Sequence, residues 1–329
     1  MLDFTYYQQL AETSLKQQTI ARTDMLRILE DADVEMFPLL HAAYKVRRQH
    51  FGNKIKIHIL DNAQSGHCSE DCSYCAQSGA AGNEELSYSM KSEEELLAEA
   101  RFAHDNGAFR HCIVFSGKTL SIKNIERICS VVKKIKTDYP MEICISAGFL
   151  TEEKAGMLKA AGVDRYNHNL NTSAHYYPQI CTTHTYEERL NTIHIAKQHG
   201  FTLCSGVIIG MGESNEDLVS MINELQQIKP ESIPVNFFIP VKGHRISDNR
   251  VLTPEDCLKI LCLFRFAFPA TELRIAGGRE YHIRSLQPLC CYVVDSLFAR
   301  GYLTTAGDSV ENTKKMITDC GFELERIEF

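Results

Sequence analysis

The feature that most constrains the fold is an alternation of eight short apolar, β-rich runs with amphipathic stretches of helical spacing. The runs are "KIKIHIL" (54–60), "RHCIVFS" (110–116), "MEICISA" (141–147), "VDRYNHN" (163–169), "FTLCSGVII" (201–209), "SIPVNFFI" (232–239), "ELRIAG" (272–277) and "VVDSLFA" (293–299). Between them lie stretches such as "SEEELLAEARFAHDNG" and "TYEERLNTIHIAKQHG", several opening on Ser, Thr or Asn and closing on Gly, the residues that cap helices. Strand–helix alternation builds parallel βαβ units. Eight of them over about 270 residues fit an α/β fold closed as a (β/α)8 TIM-type barrel better than an open doubly wound sheet. No G-x-G-x-x-G opens a helix after the first run, so a dinucleotide-binding sheet has no support.

Ahead of the barrel, residues 1–50 read as a helical extension with one interruption at Pro38; the barrel then occupies 51–320 and a tail 321–329. A formal net charge of -7 without a long Lys/Arg run argues against a nucleic-acid partner. The N-terminus lacks a secretory pattern, and no apolar segment approaches the roughly 20 residues that span a bilayer, so a cytoplasmic protein without a membrane partner is expected. In a reducing compartment, 13 cysteines point to metal ligation or redox chemistry, not disulfides.

Three of those cysteines, Cys68, Cys72 and Cys75, stand within eight residues in "HCSEDCSYCAQS", just beyond the first strand, at the barrel end where βα-loops build active sites. A structural zinc site usually supplies four ligands, and the fourth is missing here; His67 directly precedes Cys68 and reads as a loop residue. Three thiolates on an iron–sulfur cube leave one iron open to a ligand from outside the protein. The C-x3-C-x2-C spacing with Tyr74 before the last cysteine resembles the signature of the radical S-adenosylmethionine superfamily. That resemblance implies a 4Fe-4S cluster on Cys68, Cys72 and Cys75, with S-adenosylmethionine on the open iron and a 5′-deoxyadenosyl radical as the reactive product.

Cys112, Cys144 and Cys204 each fall inside an apolar run at comparable depth, and Arg274 takes a comparable place on the seventh. Each cysteine alone reads as a small buried hydrophobe. A barrel-interior guanidinium, however, must be paired or ligated, and alternate strand residues point inward, so the four can meet in one layer.

Over about residues 40 to 320 the chain resembles the biotin synthase family, on "CSEDCSYCAQS", "RHCIVFSG", "MEICISAG", "YNHNLNTS", "TYEERL", "LCSGVIIGMGE", "IPVNFFIPVKG", "RIAGGRE" and "GYLTT" in order. The resemblance implies conversion of dethiobiotin to biotin, with a second cluster, 2Fe-2S, held by Cys112, Cys144, Cys204 and Arg274 and acting as sulfur donor. It further implies S-adenosylmethionine contacts from Tyr74, Asn169, Asn171 and Arg189, and substrate contacts from Asn167, Asn169, Asn236, Thr304 and Thr305. A reduced flavodoxin or ferredoxin as electron donor and a homodimeric assembly belong to the same implication.

Three features depart from the family pattern: Asn171 stands where many members have Asp, Asp295 replaces an Asn, and Cys290 and Cys291 add thiols near the eighth strand. The rival readings are another radical enzyme with a similar barrel, such as a hydrogenase maturase or a pyrrolysine-pathway mutase, and a non-catalytic iron–sulfur or zinc protein. The remaining cysteines, Cys129, Cys181, Cys257, Cys262 and Cys320, read as core or surface thiols.

Overall fold

The computed structural model describes residues 3–83, 87–247, 249–303, 305 and 307–327. Nine parallel strands form and close the barrel: β1 (Lys54–Gln64), β2 (Arg110–Phe115), β3 (Glu142–Ser146), β4 (Arg165–Asn167), β5 (Thr202–Cys204), β6 (Val207–Ile209), β7 (Ser232–Phe237), β8 (Glu272–Ile275) and β9 (Ser296–Phe298). β9 pairs back onto β1, Lys56 opposite Ser296 and His58 opposite Phe298, so the sheet has no open edge there. Both faces of each strand are covered, which explains near-continuous apolar runs where a one-sided sheet would alternate. A tenth strand, β10 (Glu323–Glu325), lies outside the ring on the start of β1, with Lys54 opposite Glu323.

The run at 201–209 was expected to be a single strand, and it is one stave broken in two. Pro234 on β7 has no N–H to give a neighbour. β5 meets β7 only at Cys204 and Ser232, and pairing resumes at Val207 and Val235 on β6. Between them Gly206 passes so close to Pro234 that a Cβ would lie 1.9 Å from the Pro234 carbonyl oxygen. β5 and β6 together complete the eighth stave.

The N-terminal extension also differs from expectation, for it consists of three helices, Phe4–Leu15, Arg22–Glu30 and Met36–Phe51. Pro38 interrupts none of them. It sits in the first turn of the third, where backbone N–H groups have no intrahelical partner and proline is tolerated. From that helix the buried Arg47 donates to the carbonyls of Gly52, Lys54 and Val294, tying the extension to the leading ends of β1 and β9. Around the ring, helices begin with reciprocal caps at Ser92/Glu95, Thr185/Glu188, Ser214/Asp217 and Thr253/Asp256, which satisfy orphan N–H groups. Among the described residues, no helix is long and apolar enough to cross a membrane.

Candidate functional site

The loop after β1 carries Cys68, Cys72 and Cys75, all partly exposed and free of disulfides. Polar contacts hold it against the segment 180–184: Ser73 N–H donates to Ile180 O at 2.8 Å, and Asp71 Oδ1 accepts from Thr182 N at 2.9 Å and Thr183 N at 3.2 Å. Burial pushes the Asp71 carboxyl up, but these donors outweigh it and leave the group below the usual carboxylate range. Glu70 Oε2 lies 2.5 Å from His184 Nδ1. Cross-links of this density fix three thiols on a loop that has no strand to hold it.

The three thiols line the mouth of a pocket with Tyr74, Asn167, Asn169, Asn171, Arg189, Asn236 and Thr305, so the first thiol set and the described residues expected to contact S-adenosylmethionine and substrate meet in one place. Thr304 lies outside the described residues. Asn171 donates to the Tyr74 hydroxyl at 2.6 Å and has a left-handed backbone, φ 73°, which short polar residues such as Asn and Asp tolerate. Its replacement of Asp therefore keeps the backbone requirement and loses only the charge. Asn169 Oδ1 accepts from Gly206 N at 3.1 Å, while its carbonyl accepts from the half-buried Arg189 Nε at 2.6 Å. Asn236 bridges Gly277 N, at 2.9 Å, and Val207 O, at 3.0 Å. Thr305 donates its hydroxyl to Tyr302 O at 2.7 Å.

Below the pocket, strand register makes the second set. Cys112 on β2 stands opposite Cys144 on β3, and Cys204 on β5 opposite Asn167 on β4. All three thiols are buried and belong to one small cluster with Leu60, Ala276 and Phe298. Cys112 and Cys144 perturb each other as neighbours: the influence of Cys112 pushes the Cys144 thiol up to about 12, while Cys144 lowers that of Cys112, which Arg274 and Arg110 lower further. Arg274 Nη1 points at Cys204 Sγ at 3.6 Å, whereas its Nε has no hydrogen-bond partner among the described residues. A small cavity of about 30 Å³ is lined by Cys112, Cys144, Asn167 and Arg274, and it shares Val114, Ser146, Asn167 and Tyr302 with the pocket above.

A floor of charges beneath this layer escaped the sequence reading. Glu272 Oε1 accepts from Arg274 Nη2 at 2.7 Å, Ser232 Oγ at 2.8 Å, Arg110 Nη1 at 3.0 Å and Arg165 Nη1 at 3.3 Å. Burial raises the Glu272 carboxyl, but Arg110 and Arg165 together carry it well below the usual range. The signal was available: Arg110, Arg165 and Glu272 each stand two residues before Cys112, Asn167 and Arg274, and period two puts each pair on one strand face. A second omission is Cys181, read as a bland thiol, whose Sγ lies 3.8 Å from Cys72 Sγ.

The other departures take ordinary places. Asp295 is buried and accepts from Arg265 Nη2 at 2.6 Å and Leu273 N at 2.8 Å, so the added charge is paired; burial still raises its carboxyl. Cys290 and Cys291 pack in the main core, apart from the small cluster of barrel thiols.

Comparison with known proteins bears on the family and the fold. Residues 64–225 match the radical SAM superfamily, and residues 234–323 match the biotin and thiamin synthesis associated domain. The chain is 47% identical over 319 residues to a biotin synthase from Magnetococcus marinus, covering 97% of this chain and 99% of that one. It is 43% identical over 310 residues to a biotin synthase from Acaryochloris marina, covering 94% and 90%. Among solved structures, a methylornithine synthase superposes with a TM-score of 0.82 at 16% identity, covering 96% of this chain and 97% of that one. The FeFe-hydrogenase maturase HydG from Carboxydothermus hydrogenoformans superposes with a TM-score of 0.81 at 20% identity, covering 98% and 79%. At those identities the two structures bear on the fold alone.

Proposed function

The chain belongs to the biotin synthase family of radical S-adenosylmethionine enzymes, and from that premise we propose that its pocket holds S-adenosylmethionine beside dethiobiotin for sulfur insertion. The observation that carries this reading is the stacking of two thiol sets on either side of one pocket. The upper set lines the mouth, and the lower cavity shares Val114, Ser146, Asn167 and Tyr302 with the pocket floor.

The donor chemistry suits the implied groups. Cys68, Cys72 and Cys75 are three soft donors facing a pocket, as an iron–sulfur cube with one free position requires. Cys112, Cys144, Cys204 and Arg274 would hold the auxiliary cluster: among the described residues the Nε of Arg274 has no partner, and Arg110, Arg165 and Arg274 converge on the buried carboxylate of Glu272, Arg110 also pairing with Glu142. The guanidiniums draw all three thiols toward thiolate, but only Cys112 ends lowered; for Cys144 and Cys204 the neighbouring thiols and burial outweigh that pull, so a bound cluster would displace their protons. When bound, the upper cluster supplies the electron that cleaves S-adenosylmethionine, and the lower one supplies the sulfur.

The protein's own residues bind and orient. Arg189 presents a half-buried guanidinium suited to the methionine carboxylate, and Asn169 and Asn171 offer amides to the ribose in the same pocket, Asn171 bonded to Tyr74. Asn167 and Asn236 meet the ureido ring, to which an amide both donates and accepts. Thr305, with Thr304 beside it in sequence, serves the substrate's carboxylate tail. Phe149, Phe237, Phe238, Ile239 and Leu303 line the same pocket and exclude the water that would quench a radical. The same reading carries a cytoplasmic homodimer reduced by a flavodoxin or ferredoxin.

The test is anaerobic reconstitution with iron and sulfide, followed by incubation with dethiobiotin, S-adenosylmethionine and a reductant. Biotin and 5′-deoxyadenosine are both expected; wild-type protein that yields neither, with its iron and sulfide in place, contradicts the reading.

A further inference from the structure

Cys181 and His184 stand beside the upper thiol set without belonging to it. Cys181 Sγ lies 3.8 Å from Cys72 Sγ and 3.3 Å from His184 Nδ1, and one donor atom from each of the three residues falls within 4.8 Å of the others. Cys181 and His184 are each only 4% exposed, whereas Cys72 is half-buried and opens onto the pocket, so an ion has an entry path to buried ligands. Their segment is rigid, since Thr182 and Thr183 are bound to Asp71 and the Ile180 carbonyl to Ser73.

We propose that, when the cluster is absent, Cys72, Cys181 and His184 form a site for a soft divalent cation, zinc above all. Two thiolates and one imidazole are a common zinc donor set, and the fourth tetrahedral position falls to water or a carboxylate. Glu70 Oε2, 2.5 Å from His184 Nδ1, is the carboxylate at hand. Binding releases the two thiol protons, as thiolate ligation of zinc requires. Because Cys72 serves both the zinc site and the cluster, the two are mutually exclusive: zinc parks one cluster ligand in the apoprotein and blocks iron–sulfur assembly. Cys68 and Cys75 take no part in it. The proposal concerns the cluster-free chain and stands whether or not the assigned reaction is correct.

The probe is cobalt(II) as a spectroscopic stand-in for zinc, titrated anaerobically into the reduced, metal-free full-length chain, with zinc as displacer. In a Cys144→Ser background, which disables the barrel thiols, one tightly bound cobalt with thiolate charge-transfer bands is expected. Cys181→Ser and His184→Gln each weaken it by about 100-fold or more, above the 10–100-fold typical of losing an outer-shell partner. Cys68→Ser leaves it unchanged. Zinc bound beforehand lowers iron uptake by the loop in the parent protein but not in Cys181→Ser, and circular dichroism checks that each variant is folded. Unchanged cobalt binding in folded Cys181→Ser overturns the proposal, as does a Cys68→Ser loss equal to that of Cys181→Ser, which would assign the ion to the cluster motif itself.

Discussion

The mouth and the interior of the barrel each gather three cysteines, by opposite means. At the mouth, Cys68, Cys72 and Cys75 are close in sequence, partly exposed, and held by loop contacts to Asp71 and Ser73. In the interior, Cys112, Cys144 and Cys204 are far apart in sequence and buried, and backbone pairing between strands sets their places. A loop can present ligands to a pocket that exchanges its contents. A strand layer resting on buried charge has little freedom to move, which suits a group kept away from solvent.

If that contrast is right, the interior should respond to substitution more severely than the mouth. The largest effect is expected from Glu272→Ala, which leaves Arg110, Arg165 and Arg274 around a missing carboxylate. Breaking such a buried network costs about 3–5 kcal/mol, measurable by chemical denaturation of the apoprotein. A loss below about 1 kcal/mol would mean that the floor is not structural. Next comes Gly206→Ala, where the added Cβ meets the Pro234 carbonyl oxygen; overpacking of this kind costs about 1–3 kcal/mol and should also loosen Cys204. At the mouth, Asp71→Ala should lower global stability by only about 1 kcal/mol while reducing iron bound by the loop, read as iron per chain.

The two regions also differ in how far the sequence disclosed them. The mouth motif was legible because its ligands are contiguous, and the barrel because its strand–helix period repeats. Cys112, Cys144, Cys204 and Arg274 were legible as a layer since period two fixes which side of a strand points inward. Glu272 was not singled out, although the same period applies to it, because a carboxylate at the start of a strand resembles a solvent-facing end. Cys181 was beyond reach: its meaning depends on the loop at 180–184 lying against the loop at 68–75, a contact between segments about a hundred residues apart. The strand break at Gly206 likewise depends on Pro234 being the neighbour across the sheet.

Two smaller effects sharpen the comparison. Asp217, in the first turn of the helix Asn215–Ile228, is raised by burial, but hydrogen bonds from Ser173 and Ser214 outweigh this and leave its carboxyl below the usual value. A depressed folded-state pKa gives stability that is present above the unfolded pKa, about 4, and lost as pH falls through the folded one. The stability gap between wild type and Asp217→Asn should therefore be constant near neutral pH and shrink on acidification; a gap that widens in acid would reverse the sign. Tyr74→Phe, removing the hydroxyl that accepts from Asn171, should cost about 0.5–1.5 kcal/mol and weaken S-adenosylmethionine binding without changing iron content.

The central claim is that the two thiol sets do different work in one reaction. It is tested most directly by measuring 5′-deoxyadenosine and biotin side by side in reconstituted Cys68→Ala and Cys144→Ala proteins. Cys68→Ala should lose both products, whereas Cys144→Ala should keep forming 5′-deoxyadenosine while biotin disappears. Biotin produced by Cys144→Ala at the wild-type rate would contradict the account.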